Sequence, residues 1–152
     1  MAAQRGPRDF GGTLRAARER RGLSLRQIAS ATKISVITLE ALERNDLAQA
    51  ERFAARAVAN DPYQSDYVAL HTWIRAMMSN RPESLNEAIL ALSKLLSSDP
   101  KSERALLYRG KLLKKMSRIR EALRDFERLV QANPRHREGV QELRLLRQRA
   151  TK

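Results

Sequence analysis

Ile119-Arg-Glu-Ala-Leu-Arg-Asp-Phe-Glu-Arg-Leu-Val-Gln-Ala-Asn-Pro134 sets Ile119, Ala122, Phe126 and Leu129 at i, i+3, i+7 and i+10 and closes on a proline. That spacing lines four apolar side chains along one face of an α-helix, and a proline just beyond its end stops it. The same frame occurs twice upstream. Leu85, Ala88, Leu92 and Leu95 precede Pro100, and Leu47, Ala50, Ala54 and Ala57 precede Pro62, so the prolines stand 38 and 34 residues apart. A further periodic stretch comes before each of the last two frames, at about 65–78 and 102–116. Recurrence at this period predicts helical hairpins that stack because none can bury its apolar side alone.

Within 103–134, Leu106, Gly110, Ala122, Phe126 and Pro134 fall where tetratricopeptide (TPR) repeats place large, small, small, aromatic and proline residues. The stretch closely resembles that family. The 65–102 unit resembles it less closely, with Thr72 where Gly110 stands and about four extra residues in the turn around Asn80–Ser84. The 47–62 segment matches only in part. Residues 135–149, with Val140, Leu143 and Leu146 as a stripe, resemble the capping helix that hides the last apolar face of such arrays.

Upstream, Phe10, Leu14 and Ala17 recur with helical spacing until Gly22, a helix stop. Ser24 and Gln27 form a capping box for a second helix, which turns Ile28 and Ala29 inward, and Ser35 caps a third, with Ile34, Leu39 and Leu42 available for burial. The stretches Phe10–Ala29 and Thr32–Glu43 resemble helix-turn-helix domains of the Cro/repressor type, and more closely the RodZ version. That resemblance makes 24–32 the first helix of the motif and 35–44 the recognition helix. It implies DNA binding or, for the RodZ version, docking onto a protein. Counting back from Pro62 by the repeat places the first helix of that hairpin at about 31–44. One helix therefore serves both modules if the repeat frame holds there, and its access to a DNA groove is then reduced.

The expected architecture is all-α: a lead-in at 1–9, a helix-turn-helix unit at 10–45, a TPR-like solenoid with a capping helix at 46–149, and a tail at 150–152. The 152 residues are 42% apolar and 31% charged, enough for a modest core. The apolar runs are short, Ala57-Val58-Ala59 among them, and the start has no hydrophobic leader, so a cytoplasmic protein without membrane insertion is expected. The absence of cysteine excludes disulfides and thiol chemistry. The formal charge of +13 is uneven. Residues 1–30 carry seven arginines against Asp9 and Glu19, and 101–152 carry sixteen basic against six acidic groups, whereas 31–62 and 63–100 are each −1. Basic ends of this kind attract polyanions.

For DNA, Arg15, Arg18, Arg26, Gln27 and Lys33 are candidates for phosphate contact, and Ser35, Val36 and Thr38 for base contact. Val36 offers only a methyl contact, and Glu40 and Glu43 would repel phosphates, so weak or shape-based binding is expected over sharp readout. In the TPR-like groove the resemblance points to Arg104, Leu107, Lys111, Lys114 and Lys115, facing Trp73 from the preceding unit. Four cations there suit an acidic peptide or helix of a protein partner. Catalysis, metal and cofactor binding are not expected. His71 and His136 lack metal-ligand spacing, and Gly11-Gly12-Thr13 lacks the lysine of a phosphate loop. The reading is a non-enzymatic adaptor that binds DNA weakly at one end and a protein at the other. The alternative is a pure protein scaffold, and a third possibility is nucleic-acid binding through the basic C-terminal face.

Overall fold

Nine α-helices and no strand make up residues 10–150, the part described by the computed structural model. They are α1 (Phe10–Arg20), α2 (Leu25–Thr32), α3 (Val36–Glu43), α4 (Leu47–Asn60), α5 (Ser65–Ser79), α6 (Pro82–Ser98), α7 (Glu103–Lys115), α8 (Ile119–Ala132) and α9 (Arg137–Ala150). The expectations for 1–9, the Phe10 side chain and 151–152 lie outside the described residues. Helices α1 and α2 pack on α3, and from α3 to α9 every helix packs on the next, with α5 also against α7. The result is a three-helix unit running into hairpins α3/α4, α5/α6 and α7/α8, capped by α9.

The hairpins close where a small residue on the first helix meets the second. A Cβ on Gly110 would stand 2.8 Å from the Phe126 ring, so only glycine lets α7 and α8 approach this closely. The matching positions are Thr72 with Leu92 in α5/α6 and Thr38 with Ala54 in α3/α4. Ala54, smaller than Phe126, leaves room for the Thr38 side chain. Thr38 is therefore buried, at 4% exposure, beside a small cavity it shares with Phe53, Ala54, Tyr67 and Leu70. The third helix of the N-terminal unit and the first helix of the first hairpin are thus the same eight residues.

The extra residues of the middle unit are helical, not a loop. Helix α6 has 17 residues against 14 in α4 and α8, and α5 has 15 against 13 in α7. Pro82 at the first helical position favours that added turn. Asn45, Asn80 and Ser117, each just past a first helix, adopt left-handed φ of 58°, 52° and 60° and turn the chain back.

A buried pair ties the hairpins together. Arg109 on α7 donates to both carboxylate oxygens of Asp125 on α8, at 2.7 and 2.6 Å, and to Ser93 Oγ on α6 at 2.9 Å. Asp125 is 2% exposed.

Helix α1 docks differently from the expected apolar stripe. Leu14 is exposed, and contact runs instead through Gly11 and Arg18. A Cβ on Gly11 would stand 2.5–2.6 Å from the carbonyl oxygens of Leu42 and Glu43 and the Asn45 nitrogen. Arg18 donates to Glu43 at 2.5 and 2.9 Å and to the Leu23 carbonyl at 3.0 Å.

Two outcomes follow. Asp125→Ala takes both carboxylate oxygens from the part-buried Arg109 guanidinium, which keeps only Ser93, and should cost about 2–3 kcal/mol in denaturant unfolding. Gly11→Ala meets backbone that cannot swing aside. It should release α1, so that hydrogen exchange at 13–20 rises towards solvent values while 103–146 stay protected.

Candidate functional site

The first helices of the hairpins share a direction, so the starts of α5, α7 and α9 come together at one end of the concave side. A cavity of about 600 Å³ opens there. Its walls are Ser65 and Asp66 of α5, Ser102 to Arg104, Leu107 and Tyr108 of α7, and His136 and Glu138 at α9. The fourth wall is the end of α2 and the loop after it, Ala31 to Ile34. The helix-turn-helix unit therefore forms part of the groove.

The groove cations divide into two groups. Lys111 bonds Glu138, and Lys114 bonds Glu142 at 2.5 Å, so α9 neutralises the two lysines expected to meet an acidic ligand. Lys111 also lies 5.7 Å from the Trp73 ring centroid, and Trp73 stacks on Tyr108 with centroids 5.1 Å apart. Trp73 packs against both hydrophobic clusters and anchors the groove floor. Leu107 is buried, Lys115 is exposed, and Arg104 reaches Asp66 at 3.6 Å. Lys33 and Lys101, by contrast, line the cavity and make no ion pair among the described residues.

Lys33 changes surroundings relative to the sequence reading, from a DNA face to the concave cavity. It caps α2 with a left-handed φ of 57°. A lysine there costs about 1 kcal/mol relative to glycine, the kind of strain that persists where a side chain is needed. The other DNA candidates are placed as follows. Arg15 pairs with exposed Glu19 at 3.0 Å, and Arg18 is held by Glu43, whose hydrogen bond raises the guanidinium pKa. Arg26 is exposed. Gln27 and Ser24 form the expected capping box, and Ser35 caps α3 and bonds Thr38 Oγ1 at 2.8 Å. Val36 is half-buried, Ile37 is 53% exposed, and Thr38 cannot reach a base edge from the interior. The repeat frame held the signal for Thr38, because counting back from Pro62 puts it at the small-residue position occupied by Gly110. Arg109–Asp125 had no such signal.

Tyr108 borders the same cavity. Burial pushes its phenol up to about 12, with Glu138 and Asp66 adding to the rise and Arg104 opposing it. The phenol therefore stays a neutral hydrogen-bond donor through physiological pH. No described helix is long and apolar enough to cross a membrane.

A family model described as a helix-turn-helix domain matches residues 13–57, from α1 through most of α4. No curated protein matches the chain significantly. Among solved structures, the Arabidopsis OM64 TPR domain superposes with a TM-score of 0.59 at 18% identity, covering 82% of this chain and 98% of that one. The first TPR domain of the human RPAP3 protein gives 0.59 at 15% identity, covering 94% and 93%. The second, in complex with the HSP70 peptide SGPTIEEVD, gives 0.56 at 18% identity, covering 82% and 98%. The chain thus carries an N-terminal helix-turn-helix followed by TPR-like repeats, an architecture suited to protein interaction or regulation.

In an ultraviolet titration of the three tyrosines, Tyr63, Tyr67 and Tyr108, one phenol should ionise near pH 12. Tyr108→Phe should remove that step. A raised folded-state pKa means that stability is full below pH of about 10 and falls as the pH climbs towards 12.

Proposed function

We propose that this chain is a non-enzymatic protein-interaction adaptor whose concave groove takes an acidic, extended segment of a protein partner. One observation carries the reading: in the 600 Å³ cavity Lys33 and Lys101 make no ion pair among the described residues, while Asp66 faces Arg104, Glu138 holds Lys111, and Asp99 and Glu103 accept from Ser65 and Asn133. Carboxylates entering there would exchange water for charge-assisted bonds in a partly desolvated site. The peptide held by the second RPAP3 TPR domain is of this chemical kind, with two glutamates and a C-terminal aspartate.

The non-enzymatic part of the reading is supported by the use made of the histidines. His71 bridges α5 to Glu51 of α4 at 2.8 Å, and His136 Nδ1 accepts the Gly139 N–H at 3.0 Å. Both serve packing. DNA reading through α3 has less support, since Thr38 is buried, Arg18 is tied to Glu43 and Lys33 lines the groove.

Acidic nonapeptides, SGPTIEEVD among them, can be titrated while the fluorescence of Trp73, the single tryptophan, is followed. Binding should weaken with salt, and should fall about tenfold when the peptide acids become amides or when Lys33 and Lys101 become Glu. Equal affinity for acidic and amide peptides, or an unchanged Lys33→Glu/Lys101→Glu variant, would overturn the proposal.

A further inference from the structure

The side of the solenoid facing away from the groove carries a charge surplus that the fold leaves unspent. Helix α8 contains three acids and three arginines, but its acids are taken by cations on other elements or in the preceding turn. Asp125 pairs with Arg109 of α7, Glu127 with Arg147 of α9 at 3.1 Å, and Glu121 with Arg118 before the helix at 2.7 Å. Arg118 and its neighbours also hold the Glu121 carboxyl below its usual range, so it stays ionised and paired.

Arg120, Arg124 and Arg128 are left over. All three are exposed, and none makes an ion pair among the described residues. Arg128 donates one N–H to the Pro100 carbonyl at 3.1 Å, which spends a donor but no charge. Four-residue spacing puts them on one stripe with about 6 Å between steps, opposite the buried stripe of Ala122, Phe126 and Leu129. A hollow of about 220 Å³ between α6, α7 and α8 is bordered by Arg124 and Arg128, with Glu121 and the Arg109–Asp125 pair at its wall.

We propose that Arg120, Arg124 and Arg128 form a sequence-independent contact for the phosphate backbone of double-stranded DNA. A row of guanidiniums whose flanking acids, Glu121 and Glu127, are paired to Arg118 and Arg147 matches a line of phosphates, each contact releasing a condensed counterion. The stripe has no aromatic side chain on which the bases of a single strand could stack. It offers only cationic donors, apart from Gln131, towards the hydroxyl-rich minor groove of duplex RNA. The contact lies on a different face from the peptide groove and does not rest on it. It also lies apart from α3, so DNA would be held by charge and not read by the helix-turn-helix.

The test is fluorescence anisotropy of a mixed-sequence DNA duplex over a range of salt. It compares the full chain with Arg120→Gln/Arg124→Gln/Arg128→Gln, with the corresponding triple Lys variant, and with Arg15→Gln/Arg26→Gln. Circular dichroism checks that each remains helical. The unaltered chain should bind with steep salt dependence. The triple Gln variant should lose about tenfold or more in affinity at low salt and about 2.7 units of the slope of log K against log salt, the share of three phosphates. The triple Lys variant should bind much better than the triple Gln variant, and Arg15→Gln/Arg26→Gln should match the unaltered chain. The proposal is overturned by no duplex binding at low salt, by an unaffected triple Gln variant, or by a triple Lys variant as weak as it. Loss confined to Arg15→Gln/Arg26→Gln overturns it too, as does tighter binding of single strands, duplex RNA or phosphatidylserine vesicles.

Discussion

The crossing of paired helices at a single small residue sets the spacing of the whole array. At Gly110 and Phe126 the missing Cβ lets an aromatic ring lie against backbone, and the ring fills the interior that two close helices enclose. Thr38 lies beside Ala54 at the matching place of α3/α4, trading bulk on one helix for bulk on the other. Interiors at near-crystalline packing density leave little freedom at such points. Because α3 obeys this rule, it belongs to the repeat as firmly as to the helix-turn-helix. Its buried residues, Thr38, Leu39, Ala41 and Leu42, leave only a narrow outward strip that includes Ile37 and Glu40. An apolar residue and an acid there suit a protein surface better than a phosphate backbone.

The helical frame was readable because its signal is periodic. The three stripes ending at Pro62, Pro100 and Pro134 fixed α4, α6 and α8 to within a few residues, and the Ser24–Gln27 capping box and the Ser35 cap located the starts of α2 and α3. The family match and the superposed TPR domains agree with that reading. The docking of α1 was less legible, because a contact made by an absent side chain leaves no hydrophobic signal. Gly11 could be read only as a failed phosphate loop until the end of α3 was seen against it. The middle turn misled for a related reason. Extra residues between periodic segments read as loop, although Pro82 is an equally good first residue of a helix.

Charges are where sequence reasoning stops short, since a formal sum does not say which ions are spent on each other. Lys111 and Lys114 stood out as a cluster, yet Glu138 and Glu142, a turn apart on α9, face them across the array. Lys33 seemed to belong with the arginines of α1 and α2, yet the turn after α2 brings it into the groove. Pairings between residues some 27 positions apart depend on how helices stack, and no local pattern encodes them.

The same accounting gives the two faces of the molecule opposite characters. On the concave side, acids and bases alternate along neighbouring first helices: Asp66 with Arg104, Lys111 with Glu138, Lys114 with Glu142. This ladder fixes the register of α5, α7 and α9 and leaves, where it ends, an opening in which Lys33 and Lys101 make no ion pair among the described residues. On the outer side, the acids of α8 are consumed by partners on α7, α9 and the turn before it, and an ordered row of arginines remains. Charge there is repetitive and exposed, which favours fast, salt-sensitive capture of an extended polyanion over discrimination between ligands. A single stacking rule thus produces one surface whose charges are paired in defined geometry and another that carries a repetitive row of exposed arginines.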